Sequence, residues 1–124
     1  MRNFFEQVYE IVKLIPEGKV TSYGRIAQML GRPNSARAVG YALNALKNSA
    51  EHEIVPWWRV VNAAGKISLG SRELLANRQA ILLQKEGVRV SDELAISLSR
   101  FLWEGADIFE IEEILQHGQT DHPY

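Results

Sequence analysis

The sequence predicts a mainly α protein with short β elements, folded as a single winged helix-turn-helix-like domain with a C-terminal helical extension. Three observations carry that prediction. Apolar residues recur at three- and four-residue spacing through residues 3–15, 36–46, 72–85 and 107–117. Two short helices, one over Tyr23–Leu30 and one starting at Asn34 or Ser35, are separated only by Gly31-Arg32-Pro33-Asn34. The extended stretches, around Val20, Val60-Val61, Lys66–Ser68 and Val88–Val90, are too short to build a sheet of their own.

In chain order, Phe4, Phe5, Val8, Ile11, Val12 and Ile15 give the first helix an apolar stripe, and Pro16-Glu17-Gly18-Lys19 stops it. Thr21-Ser22 supplies a cap for the second helix, which turns Ile26 and Leu30 inward. The third helix has two faces. Val39, Leu43 and Leu46 are expected in the core, whereas Ala36, Arg37, Gly40, Tyr41 and Asn44 lie elsewhere around the axis. A mid-helix glycine costs about 1 kcal/mol relative to alanine. Gly40 therefore implies a need for room, either for another helix or for a nucleic acid. Val60-Val61, a turn at Ala63-Ala64-Gly65 and Lys66-Ile67-Ser68 read as a hairpin or wing. Arg72–Lys85 is helical, with Leu74, Leu75, Ile81 and Leu82 offered to the core and Gly87 beyond its end. Phe101-Leu102-Trp103 is expected to pack back on the body. The last helix is expected to bury Ile108, Ile111, Ile114 and Leu115 and to expose Glu110, Glu112 and Glu113.

At 124 residues, 46% hydrophobic and 23% charged, the chain has the composition of one ordinary globular domain. It contains no cysteine, which excludes disulfides, thiolate metal sites and cysteine chemistry. His52, His117 and His122 have no ligand-like spacing, so no metal or cofactor is expected. No apolar run is long enough for a bilayer and no leader is visible, so the expected location is cytoplasmic, with no membrane partner. The net charge of −1 hides an asymmetry. Residues 1–89 hold 13 Lys/Arg against 7 Asp/Glu, a balance of +6, and residues 90–124 hold 1 against 8, a balance of −7. A basic body suits a polyanionic partner; an acidic helix exposed to solvent accounts for the rest equally well.

Pro56-Trp57-Trp58-Arg59 is the most unusual stretch. It contains two rigid indoles, each with one N–H donor, and no nucleophile. Taken alone it reads as a proline-led corner with one tryptophan in the core.

Five stretches together resemble the DNA-binding domain of the O6-alkylguanine-DNA alkyltransferases. They are Ile15-Pro16-Glu17-Gly18-Lys19-Val20, Tyr23-Gly24-Arg25-Ile26-Ala27, Ala36-Arg37-Ala38-Val39-Gly40, Pro56-Trp57-Trp58-Arg59-Val60-Val61 and Leu82-Leu83-Gln84-Lys85-Glu86-Gly87. The resemblance covers about residues 3–90 and implies the alkyltransferase C-terminal fold type. It divides the chain into a DNA-binding domain, 1–103, and an acidic C-terminal helix and tail, 104–124. The family corner reads Pro-Cys-His-Arg, and here Trp57 and Trp58 hold the cysteine and histidine positions. A thiolate and its activating relay are what the transfer chemistry requires. Glu86 matches the relay's acidic member and is left with no histidine to orient, so pairing with a nearby Lys or Arg at the helix end is expected of it instead. The pattern resembles the alkyltransferase-like proteins, which bind O6-alkylguanine without repairing it and pass it to nucleotide excision repair. Most of these carry Trp then His at the corner, so Trp58 is a further departure.

The resemblance implies a non-enzymatic protein that binds duplex DNA containing O6-alkylguanine through the minor groove. Tyr23, Ser35, Ala36, Arg37, Gly40 and Asn44 would contact DNA. Arg37 would fill the vacancy left by a flipped nucleotide, Tyr23 would press on its phosphate, and Asn44 or Asn48 would match a hinge asparagine. Tyr23, Pro56, Trp57, Val60 and Arg72 would form the lesion pocket, and Arg59 would brace the corner. The expected partners are lesion-bearing DNA and an excision-repair damage sensor such as UvrA, with the protein itself a monomer. The alternatives are a winged-helix transcription regulator on undamaged DNA, and a protein-interaction module that docks a partner through its acidic tail. The third helix is poor in the polar side chains that major-groove reading by such a regulator requires.

Overall fold

A computed structural model describes residues 3–46, 54–67 and 73–116, with side chains from residue 76 onward in the last stretch. The described elements are α1 (Phe4–Lys13), β1 (Thr21–Ser22), α2 (Tyr23–Met29), α3 (Ala36–Ala45), a 3-10 turn (Trp57–Arg59), β2 (Val60–Val61), α4 (Glu73–Lys85), α5 (Leu98–Phe101) and α6 (Ile108–Gln116). Local chemistry starts the first two helices. The Asn3 side chain accepts from the Glu6 amide while Glu6 reaches back to the Asn3 amide, a reciprocal cap. Ser22 Oγ accepts from the Arg25 amide at 3.2 Å and opens α2. Ser35 opens α3 without a side-chain cap bond.

The helix-turn-helix forms as expected, and α1 packs across it. Val8, Ile11, Val12, Ile15, Ile26, Ala27, Leu30, Val39, Ala42 and Leu46 make the first core. The Tyr9 hydroxyl donates to the Ala42 carbonyl at 2.6 Å and pins α1 to α3. Val39 and Leu46 are buried as expected, Leu43 is half-buried, and the small Ala42 completes the buried stripe.

The strands depart from the expectation. Asn62, just past β2, does turn back to Lys66, its amide donating to Lys66 O at 3.0 Å, but Val60-Val61 find their strand partner elsewhere. Strand β2 pairs in parallel with β1, Thr21 opposite Val60 and Ser22 opposite Val61. The turn after β2 does close, with the Gly65 amide donating to the Asn62 carbonyl at 2.9 Å. The segment beyond it pairs with residues 94–96: the Ile67 amide donates to Leu94 O at 3.0 Å and the Ile96 amide to Gly65 O at 2.8 Å. Ser68 lies outside the described residues. Two-residue strands carry no alternation, so partner choice falls to the tertiary packing.

A second core gathers Val20, Val61, Ile67, Ala76, Ala80, Leu83, Val88 and Ile96. Here α4 buries small residues and Leu83, while Leu82 is half-buried and Ile81 is 51% exposed, contrary to expectation. The side chains of Leu74 and Leu75 lie outside the described residues. Trp103 returns to the first core as expected, its amide donating to Val20 O at 2.8 Å. The extension is tied to α2 as well. Arg25 Nη2 donates to the carbonyls of Trp103 at 3.0 Å and Glu104 at 3.1 Å. On α6 Ile114 is buried, Ile111 and, against expectation, Glu110 are half-buried, and Ile108 and Leu115 are exposed rather than inside. Packing mainly on α1 needs a stripe narrower than the full apolar face of α6.

Gly65 is the position where the wing depends on glycine. Its φ is +82°, and an added Cβ would stand 2.5 Å from the Ile96 carbonyl oxygen. Gly65→Ala is expected to destabilise the protein by about 1–3 kcal/mol from backbone strain alone, with the clash added. Urea denaturation of the variant measures this.

Candidate nucleic-acid interface and corner

The interface is built outward from α3. With Val39, Ala42 and Leu46 buried, the helical repeat sends Arg37, Gly40, Tyr41 and Asn44 to the opposite side. Arg37 and Asn44 are exposed, Tyr41 is 60% exposed, and Ser35, Ala36 and Gly40 are half-buried. A Cβ built on Gly40 meets nothing within 4 Å. Among the described residues, then, no other helix packs closely on Gly40. The room it leaves is on the outside of the molecule.

The corner lies at the seam between the two cores. Pro56, with φ −77° and ψ 68°, makes a tight inverse turn in which the Trp57 amide donates to Val55 O at 2.7 Å. Trp57 is half-buried and packs on the first core, and Trp58 is half-buried and packs on the second. Their ring centroids are 5.9 Å apart with planes at 86°, an edge-to-face pair. Val60 and Pro56 are buried beneath them. The pairing of β1 with β2 sets the start of α2, and so Tyr23, beside this segment. Tyr23 is half-buried against the same core as Trp57 and Val60. Arg72 and Asn48 lie outside the described residues.

Glu86, just past the C-terminal end of α4, holds the corner. One carboxylate oxygen, Oε2, accepts from Trp58 Nε1 at 2.8 Å and from Arg59 Nη2 at 2.7 Å. The other, Oε1, accepts from Arg59 Nε at 3.0 Å and from the Gly18 amide at 3.1 Å. Arg59 also donates to the Ile15 carbonyl at 2.7 Å. Both charged side chains are nearly enclosed, Arg59 at 14% and Glu86 at 9% exposed. Arg59 braces the corner, as expected. Glu86 does pair with an arginine, yet it is not left without a ring donor: the Trp58 indole fills that role. The Gln79 amide, buried in α4, donates to the carbonyls of Trp58 at 2.9 Å and Val60 at 3.0 Å. Gln79 and Tyr9 escaped the sequence reading, because a hydrogen bond to a distant backbone carbonyl leaves no local pattern.

Burial pushes the Glu86 carboxyl up, but hydrogen bonds from Arg59, Trp58 and the Gly18 amide, with the Arg59 charge, outweigh it and hold the group below its ordinary 4.5. A depressed folded value means stability that is fully present above pH 4.5 and lost as pH falls through the folded value. Glu86→Gln is therefore expected to lie below the wild type in stability at pH 7, with the gap narrowing below pH 4.5. Thermal denaturation of both proteins from pH 7 to pH 3 checks it. Among the described residues no group of three His, Cys, Asp or Glu side chains is placed to hold a metal ion.

Comparison with known proteins agrees with this geometry. The family model for the 6-O-methylguanine DNA methyltransferase DNA-binding domain matches residues 3–88. A DNA base-flipping protein from Vibrio parahaemolyticus is 42% identical over 84% of this chain and 99% of its own length. Alkyltransferase-like protein 1 of Schizosaccharomyces pombe is 37% identical over 83% of this chain and 96% of its own length. The crystal structure of S. pombe Atl1 in complex with damaged DNA containing O6-carboxymethylguanine superposes with a TM-score of 0.75 at 37% identity, covering 84% of this chain and 97% of that one. The fold over residues 3–88 is thus shared with these relatives, and the chain belongs to the alkyltransferase-like group of the methylguanine methyltransferase DNA-binding family.

Proposed function

We propose that this protein recognises O6-alkylguanine in duplex DNA by flipping the nucleotide out of the stack, and that it transfers nothing. The observation that carries the reading is Trp57, a half-open indole at the corner where the transferases carry their cysteine, in a chain that has no cysteine elsewhere. The S. pombe relative bound to O6-carboxymethylguanine DNA and the base-flipping name of the Vibrio relative support it.

The physical steps follow from the chain's own residues. A helix with side chains is about 10 Å or more across, whereas the minor groove of B-DNA is about 6 Å wide. Only a face of small residues can enter, with the groove widened. Ala36 and Gly40 supply that face, and Tyr41 and Asn44 flank it. Arg37, exposed on the same side, reaches the stack, where its planar guanidinium replaces the departing base. Tyr23 stands at the phosphate of the extruded nucleotide, and Ser35 at the helix start adds a further backbone contact. Extrusion costs a few kcal/mol, and stacking on an aromatic wall returns roughly 1–3 kcal/mol per base. A poorly paired alkylguanine is cheaper to extrude, and its alkyl group gains about 0.8 kcal/mol per buried carbon against the indole. Arg72 is assigned to the same pocket. The complex then marks the lesion for the excision-repair damage sensor, a UvrA-type protein, with the protein acting as a cytoplasmic monomer.

Fluorescence anisotropy with a duplex containing O6-methylguanine and its guanine counterpart, at two salt concentrations, tests the reading. The expected result is tighter, salt-dependent binding to the damaged duplex, with Arg37→Ala losing about tenfold or more on it, equivalent to ~1.4 kcal/mol. Equal affinities for the two duplexes, or a methyl group found on the protein by mass spectrometry, would reject it.

Gly40 gives a second test with opposite signs in two assays. Since a Cβ there meets nothing inside the protein, Gly40→Ala is expected to stabilise the free fold by about 1 kcal/mol. A bulkier Gly40→Leu is expected to keep the fold and lose DNA affinity. Denaturation curves and the same anisotropy assay read the two effects.

A further inference from the structure

We propose that Trp58 is a positioning residue: through its hydrogen bond to Glu86 it sets the plane of Trp57, and with it the discrimination between damaged and intact guanine. The proposal rests on the lesion-recognition reading for its consequence, though not for its geometry. The Trp58 ring is fixed from three directions. Its N–H meets Glu86 Oε2 at 2.8 Å, the Arg59 guanidinium lies 5.6 Å from its ring centre, and Trp57 meets it edge to face at 5.9 Å. Its backbone carbonyl is held by Gln79. Glu86 is a firm anchor because Arg59 and the Gly18 amide fix it independently of Trp58.

Trp57 has much less of its own. It is half-buried, and its described supports are the inverse turn at Pro56, partial packing on the first core and the neighbouring indole. A wall that stacks on a base works only if its plane is parallel to that base, so a tilted indole forfeits the overlap. The perpendicular contact with Trp58 is therefore the contact that orients the wall. Without the N–H, the ring at position 58 is free to pivot about its side-chain torsions, and Trp57 is free to follow it.

Two substitutions separate the N–H from the bulk of the ring. Trp58→Phe keeps an aromatic ring and removes the donor, and Trp58→His restores an N–H donor on a smaller ring. Two measurements read them. In the absence of DNA, the indole cross-peak of Trp57 in a 1H–15N spectrum is expected to be single and sharp in the wild type. It is expected to broaden or split in Trp58→Phe and to sharpen again in Trp58→His, with circular dichroism showing all three proteins folded. With DNA, the ratio of affinities for O6-methylguanine and guanine duplexes is expected to fall about fivefold in Trp58→Phe and to recover in Trp58→His. An unchanged Trp57 signal in folded Trp58→Phe, or no recovery in Trp58→His, overturns the proposal. A wild type indifferent to the lesion would sink the lesion-recognition reading and its consequence here, while the DNA-free spectra would still decide whether Trp58 orients Trp57.

Discussion

The molecule is organised around the enclosed carboxylate of Glu86. It sits at the end of α4, where the helix already presents partial negative charge, so the position is unfavourable for an acid without a cation. Arg59 supplies that cation in a two-pronged contact and also reaches the last turn region of α1 through the Ile15 carbonyl. Gly18 brings in the turn before β1, and Trp58 brings in the corner. Three separate stretches, residues 15–18, the corner at 58–59 and the end of α4, thus meet at one side chain. Removing Arg59 would leave an enclosed carboxylate with the Trp58 and Gly18 N–H donors but without its paired cation.

That junction lies at the seam of two small cores, and the seam holds the half-buried tryptophan corner between them. Along Pro56–Val61 successive residues are shared out: Trp57 and Val60 go to the first core, Trp58 and Val61 to the second. The two-residue pairing of β1 with β2 stitches the same seam to the start of α2. Tyr9, reaching Ala42 O, and the α2 packing then fix α3 by its inner face alone. Its outer face carries Arg37, Gly40, Tyr41 and Asn44. Gly40 weakens the helix, and among the described residues nothing packs against it.

Much of this was legible in the sequence where the cause is local. The cap at Ser22, the helical stripes of α1 and α3, and the turn at Gly65 depend on residues a few positions apart. The corner was legible as a motif, since its order relative to the other four stretches is fixed. What escaped was non-local. The parallel pairing of Thr21-Ser22 with Val60-Val61 joins two-residue segments with no period to read. The buried stripe of α4 runs through Ala76, Gln79, Ala80 and Leu83, so the larger Ile81 misdirected the reading. On α6 the apolar residues outnumber the contacts α1 can offer, which leaves Ile108 and Leu115 outside.

The resemblance matches Glu86 to a relay acid, and its contacts here give it a different task. A relay acid must exchange favour between protonation states of its neighbour. Here Glu86 receives hydrogen bonds on both oxygens from a guanidinium, an indole and a backbone amide, and its carboxyl is held below the usual range. The carboxylate form is therefore favoured. A thiol placed beside it would find its lone pairs already committed and an indole where a proton carrier is needed. On the proposed reading, the corner would depart from transfer chemistry in its hydrogen bonding as well as in its lack of sulfur, and the bonds that occupy Glu86 would also mount the Trp57 wall.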